Sequence, residues 1–391
     1  MKKILIIFTL LLPFTMAAQP SISEVLKAIE QNNTTLRAAR HSTTAEQLGN
    51  TTDIFLPDPE VEVGHLWGNP SEVGNRTDLS VTQTFDIPTL LGMKSRVAQQ
   101  QNDMVQWQFE AERIAILLEA KKYVLDAIYC NAMLKQLAIR QHHAEEFLAN
   151  QKKMLEGGEC NIIDYNNAVL AKVKLDADIQ QMEVERTGVM AQLERLNGGK
   201  AITITADEFE PILLPSNFEE WFATVESKNP ALGYVKSEVE LSKKQLALNK
   251  AQNLPSFSVG YISEHTPGEH LRGISLGVSI PLWSNRNKVK QAKAAIQAAE
   301  AKKVDAAQQL YGQLKALYTQ VAGLQKTALA YRQTLPDAHN CELLEKALQS
   351  GAITQLEHIA QHSLYYESID KAIEAERDYQ KAYAELTAYD L

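Results

Sequence analysis

The stretch from Ile274 to Lys288 reads ISLGVSIPLWSNRNK. Ile274, Leu276, Val278, Ile280 and Leu282 alternate with small polar Ser275, Gly277 and Ser279, the period of a strand with one apolar face. Pro281 and Trp283 break the alternation, and a long helical sequence begins. The same join occurs earlier, around Pro88 in FDIPTLLGMKSRV. The recurrence suggests that the chain is two copies of one pattern.

Four landmarks recur in order. EQNNTTL (Glu30–Leu36) resembles ESKNPAL (Glu226–Leu232), and PDPEVEVGH (Pro57–His65) resembles NLPSFSVGY (Asn253–Tyr261). Pro88 falls over Pro281, and Gly158 in EGGECNIID falls over Gly351 in QSGAITQLE. The offset drifts only from 196 (229 − 33) to 193 (351 − 158), in turn-like segments where length changes are tolerated. Ser21-x-x-Glu24 and Ser216-x-x-Glu219 read as capping boxes opening each copy.

Each copy is expected to run helix, strand, polar turn, strand, very long helix, reversal, return helix. The first helices are about Thr34–Asp53 and Ala231–Gln252. The strands are about Glu60–Leu66 and Asp78–Ile87, then Ser256–Ser263 and Gly273–Leu282. The long helices run about Gly92–Leu155 and Asn285–Gln349, and the return helices Asn161–Leu196 and Thr354–Ala388. No Gly or Pro lies between Gly92 and Gly157, so roughly 60 residues make a rod on the order of 90 Å. Its apolar stripe, Ile114, Leu117, Leu118, Val124, Leu125, Ile128, Leu134 and Leu137, suits side-by-side helix packing. Pro336 is expected to bend or break the second rod.

The N-terminal residues MKKILIIFTLLLPFTMAAQP read as a secretory signal over 1–18, with Lys2 and Lys3 before an apolar core and Ala17-Ala18 at the cleavage site. No Cys follows, which argues against lipidation. The formal charge of −9 becomes −11 (−9 − 2) without Lys2 and Lys3, which disfavours a nucleic-acid partner. Three cysteines make no disulfide scaffold. No later segment has the ~20 apolar residues of a membrane helix. Any membrane entry is therefore through strands.

Val61, Val63, Leu79, Val81, Phe85, Phe257, Val259, Ile274, Leu276, Val278 and Ile280 supply the apolar positions of the strands. Gln83 interrupts the second strand, and Trp67, Tyr261 and Trp283 fall near expected strand ends, where aromatic girdles sit. A half-buried sheet packed on helices has the same alternation. The secretory signal and the rod lengths favour membrane strands. Four strands are too few to close a barrel, so several chains must pool theirs. Three chains or four both satisfy this pattern.

The duplicated joins (DIPTLLGMKSRV, SIPLWSNRNKV), the reversals (GGECNIIDYNNAVLAKVKL, SGAITQLEHIAQHSLYYES) and TLPDAHNCELLEKALQSG resemble the TolC-like outer-membrane efflux proteins. The resemblance covers nearly the whole mature chain. It implies an α+β, mostly α membrane protein with repeats at 19–198 and 199–391. It also implies a homotrimer whose hairpins share a twelve-stranded barrel in the outer membrane of a Gram-negative bacterium. A helical tunnel would cross the periplasm to an adaptor protein and an inner-membrane pump, and drugs or heavy-metal ions would leave passively. The lipidated cysteine of many relatives and the C-terminal extension of some are not seen in this sequence.

The resemblance places adaptor contact and gating at Gly157, Gly158, Asn161, Asp164, Gly351, Thr354 and Glu357. Asp164 and Glu357 equally suit helix N-termini. His358 and His362, four apart, and His265, Glu269 and His270 in EHTPGEH are weak metal patterns, more often solvated or interhelical. A Cys160–Cys341 disulfide is disfavoured by their spacing from the reversals. No nucleophile–base set, phosphate loop or catalytic metal cluster is recognisable, so no enzymatic activity and no cofactor are expected. A periplasmic coiled-coil adaptor or scaffold is the alternative. A self-contained porin needs eight or more strands per chain.

Overall fold

A computed structural model describes residues 21–335 and 341–391. The signal segment 1–18 and Pro336 lie outside the described residues. The first copy contains α1 (Ile22–Asn32), α2 (Thr34–Gly49), β1 (Glu60–Leu66), β2 (Arg76–Phe85), a short α3 (Ile87–Leu90), α4 (Met93–Glu156) and α5 (Ile162–Leu196). The second contains α6 (Phe218–Lys228), α7 (Pro230–Ala251), β3 (Ser256–Thr266), β4 (Glu269–Ser279), α8 (Lys288–Thr334), α9 (Cys341–Gln349) and α10 (Gln355–Leu386). No described helix is long and apolar enough to cross a membrane.

Helix α4 is one uninterrupted run of 64 residues. Its expected stripe is where the core lies. Ile114, Leu117, Val124, Leu125, Ile128 and Leu137 are buried, while Leu118 and Leu134 are half-buried. Small residues Ala120, Ala127 and Cys130 on the same helix have no exposed surface, which lets neighbouring helices approach closely.

The openings of the two copies differ in detail. Ser21 forms the expected capping box with Glu24. Ser216 does not cap α6. Asn217, one residue later, takes that place: its Oδ1 accepts the Glu219 N–H at 3.0 Å, and its Nδ2 donates to Glu220 Oε1 at 2.9 Å. The matched pair Asn33 and Asn229 both sit in extended backbone between two helices and are both buried. Asn33 Nδ2 donates to the Leu196 carbonyl, and Asn229 Oδ1 accepts from the Leu232 N–H.

The described chain forms two compact units that cut across the expected 19–198 and 199–391 division. One contains α1 with Glu119–Ile212 and Leu324–Ala384; the other contains Thr34–Leu118, Leu213–Gly323 and Glu385–Leu391. Each draws on both copies, because the helices of one copy pack beside those of the other. In the first unit Lys381 of α10 bridges to Asp126 of α4 at 2.8 Å. In the second, Lys244 of α7 donates to Gln100 Oε1 of α4 at 2.6 Å. The four strands belong wholly to the second unit.

Candidate functional site

The strands form one antiparallel sheet in the order β1-β2-β3-β4. Directly paired residues in an antiparallel sheet point to the same side. The register therefore groups the side chains into rows: Phe85–Phe257–Val278, Val259–Leu276, Val61–Val81–Tyr261–Ile274 and Val63–Leu79. All lie on one face. Ile274 is 80% exposed and Leu276 81%, so nothing in the subunit covers them. The opposite face holds Ser80, Thr82, Thr84, Ser258, Gly260, Ser275 and Gly277. A Cβ at Gly260 would come within 2.5 Å of Ser275 Oγ and 2.9 Å of Thr82 Oγ1, so the glycine leaves room for both hydroxyls.

Several expected positions are corrected. Ile280 and Leu282 fall beyond β4, and Ile87 begins α3 rather than ending a strand. Asp86 caps α3 by accepting the Thr89 N–H, and Pro88 sits in its first turn, so the helix ends the strand two residues early. Tyr261 lies mid-strand, paired with Ile274, and is no girdle residue. Trp67 and Trp283 do follow strand ends, one at each end of the sheet, and both are exposed. Gln83 keeps its place on the apolar face because its Nε2 donates to the Pro57 and Thr84 carbonyls.

The two reversals are built alike. Gly158 has φ 73° and Gly351 φ 72°, the left-handed region that ends a helix cleanly. At the first, the Glu159 N–H reaches the Met154 carbonyl at 2.8 Å and the Gly158 N–H the Leu155 carbonyl at 3.1 Å. At the second, Ala352 reaches Ala347 at 2.8 Å and Gly351 reaches Leu348 at 3.0 Å. This is the same pair of closing bonds. Gly157 precedes the left-handed residue and donates to the Lys153 carbonyl at 2.9 Å.

Asn161 and Thr354 then cap the return helices. Asn161 Oδ1 accepts from the Ile163 and Asp164 N–H groups at 2.8 and 3.0 Å. Thr354 Oγ1 accepts from the Glu357 N–H, while Glu357 Oε2 accepts from the Thr354 N–H at 2.8 Å and its hydroxyl at 2.9 Å. Those bonds, the backbone one foremost, hold the Glu357 carboxyl below its usual range. Asp164 occupies the matching position in the first turn of α5.

The family model for outer membrane efflux protein matches residues 221–390, which include β3, β4, the second reversal and α10. The alkaline protease secretion protein AprF of Pseudomonas aeruginosa is 23% identical over 292 residues, which is 68% of this chain and 60% of that relative's length. A membrane protein from Pseudomonas aeruginosa shares the fold with a TM-score of 0.77 at 14% identity, covering 94% of this chain and 93% of its own. The open outer membrane channel MtrE of Neisseria gonorrhoeae does so with a TM-score of 0.76 at 14% identity, covering 95% and 89%. The chain thus shares its fold with these outer membrane proteins over nearly its whole length.

The fold also brings together residues that the sequence reading passed over. Arg140 of α4, its side chain only 10% exposed, grips Asp370 of α10 with both terminal nitrogens, at 2.9 and 2.5 Å. It donates to the Tyr366 carbonyl at 3.1 Å and lies 4.7 Å from the Tyr366 ring centroid. His143 Nδ1 lies 2.8 Å from the Tyr366 hydroxyl. A signal was available: Arg140 stands three residues after buried Leu137, on the packed stripe rather than off it.

The rings of His358 and His362 lie tilted with centroids 4.4 Å apart, and His362 continues to Tyr366 at 5.8 Å. Among the described residues no group of three or more His, Cys, Asp or Glu has metal-holding geometry. Cys160 is a free thiol whose Sγ donates to the Gln151 carbonyl at 3.4 Å, and the side chain of Cys341 lies outside the described set. Burial pushes the Cys130 thiol up to about 11, which marks a packing residue rather than a nucleophile.

Proposed function

We propose that this protein is the outer-membrane exit duct of a tripartite export system, carrying cargo passively out of the periplasm. The observation that carries the reading is the uncovered apolar face of the sheet. A monomeric soluble protein rarely leaves such a contiguous patch open. Strands of 10 or 11 residues, as in β2, β3 and β4, are about 35 Å long. Tilted by about 45°, they span about 25 Å, the height of a barrel's apolar band.

The sheet's edges support assembly. β1 and β4 are both unpaired at their outer edges, and lipid tolerates no open edge. In a four-stranded meander the edge strands run in opposite directions. β4 of one subunit therefore pairs antiparallel with β1 of the next, and the ring closes. Three copies, as the family resemblance implies, give a closed barrel of twelve strands. Each repeat, 19–198 and 199–391, supplies one hairpin and one pair of long helices.

Gly157, Gly158, Asn161 and Asp164, with Gly351, Thr354 and Glu357, form the periplasmic turns that meet the adaptor and set the gate. Their rigid, doubly bonded closures give a fixed docking shape. The partners are a periplasmic adaptor and an inner-membrane pump; the cargo is a drug or metal ion, or a polypeptide as the name of AprF indicates for that relative. In a planar bilayer the purified protein should conduct, and it should fractionate with the outer membrane as a detergent-stable oligomer. Recovery as a water-soluble periplasmic monomer overturns the reading and favours the adaptor or scaffold alternative.

A further inference from the structure

At the hairpin-turn end, the outward face of the sheet changes from apolar to basic. The row beyond Val61–Val81–Tyr261–Ile274 is Val63–Leu79–Ser263–Arg272, and the next is His65–Thr77–His265–His270. His265 and His270 lie directly across from each other with ring centroids 4.1 Å apart. His65 Nδ1 lies 2.9 Å from Thr77 Oγ1, and its ring meets Trp67 edge-on at 5.1 Å. His65, Trp67, His265, His270 and Arg272 are all exposed.

The carboxylates are sorted to the other face. Glu60, Glu62, Asp78, Glu264 and Glu269 all alternate away from these rows, and Arg76 is neutralised there by Asp78 at 2.7 Å and Glu264 at 2.8 Å. Arg272 thus has no strand carboxylate on its own side. The basic row sits one residue inside the ends of β2, β3 and β4, at the edge of the apolar band, with Trp67 beside it. The two hairpin turns hold this rim together. Gly74, with φ 72°, lies so close to Pro267 that a Cβ would come within 2.7 Å of the proline ring.

We propose that this rim is a binding surface for anionic, phosphate-bearing lipid headgroups. Arg272 supplies the permanent charge, and the imidazole N–H groups of His65, His265 and His270 donate hydrogen bonds to phosphate oxygens. The inference rests on the sheet being a barrel wall. An interfacial aromatic beside N–H donors, with acidic groups excluded, is the chemistry such a headgroup selects.

The test uses the purified oligomer in a neutral detergent, titrated separately with phosphatidylglycerol, phosphatidylcholine of the same acyl chains, and inorganic phosphate. Phosphatidylglycerol should bind preferentially and raise the melting temperature; the other two should not. Arg272→Gln should lower the preference about fivefold. H65Q/H265Q/H270Q should lower it independently, while Arg272→Lys should retain most of it. Equal response to both lipids, or a preference surviving Arg272→Gln and the triple variant, overturns the proposal. So does inorganic phosphate matching phosphatidylglycerol, which marks a free-anion site. A chain that never forms a detergent-stable oligomer overturns the barrel reading instead, so the two failures are separable.

Discussion

The two copies solve the same geometric problems with different residues. Both end a helix on a left-handed glycine with the same two backbone bonds, at Gly158 and Gly351. Both restart the chain with a side-chain cap, but one uses the neutral amide of Asn161 and the other the reciprocal Thr354–Glu357 pair. Their hairpins differ more. The first joins its strands through residues 67–75, and the second through Pro267 and Gly268 alone. What is preserved is where backbone groups must be satisfied and which way the apolar face points. What varies is connection length, which solvent tolerates.

The comparison breaks most severely if the two faces of the sheet are made alike. Leu276→Arg places a charge on the uncovered face mid-strand, at a cost of about 2–4 kcal/mol per subunit if that face meets lipid. Ser80→Arg places the same charge on the opposite face, across from Glu62. The first should abolish the heat-resistant oligomer in outer-membrane fractions, and the second should leave it intact. Equal tolerance of both would remove the face distinction.

Next in size is the grip of Arg140 on Asp370. With the guanidinium nearly buried, Asp370→Ala strands a charge and should destabilise the helical unit by about 3 kcal/mol, read by thermal melting. Arg140→Met with Asp370→Leu should recover most of that. The exposed Lys243–Glu240 pair on α7 is the contrast: Glu240→Ala should leave the melting curve essentially unchanged.

Much of this was legible in the sequence because it is local. Alternation from Ile274 to Val278 fixed which face is apolar, and the lack of Gly or Pro fixed the span of α4. Gly158 and Gly351 announced the reversals. Three things were hidden for physical reasons. Ser216 and Asn217 are adjacent cap residues, and only the backbone angle decides between them. Pro88 and Pro281 occupy matching sequence positions, yet Pro88 lies in a helical turn capped by Asp86 and Pro281 does not, although Ser279 stands where Asp86 does. The Arg140–Asp370 pair joins residues 230 apart, and its formation depends on how two helices are rotated against each other.

The reversals themselves sharpen the comparison at smaller energies. Gly158→Ala and Gly351→Ala should each cost about 1 kcal/mol, and nearly equally. Both have the same φ, and an added Cβ meets nothing within 4 Å at either. Gly74→Ala carries the same strain plus the collision with Pro267 and should cost more, as seen by melting of the oligomer. A large gap between Gly158→Ala and Gly351→Ala would mean that one turn is held by something other than its backbone angle.

The smallest effect separates the caps by acid. The folded-state pKa of Glu357 is depressed by its bonds from Thr354, so this cap stabilises the turn above the carboxyl's unperturbed value of 4.5. The contribution is lost as pH falls through and below that value. Asn161 has no titrating atom in its cap, so the first reversal should respond less. Amide exchange protection at Glu357, followed downward from pH 6, should fall relative to protection at Asp164. Glu357→Gln should remove the pH dependence while keeping part of the cap, because the amide oxygen still accepts from the Thr354 N–H. If the two reversals lost protection in parallel, acid would be acting on the whole helical unit, and the difference between amide and carboxylate caps would carry no consequence.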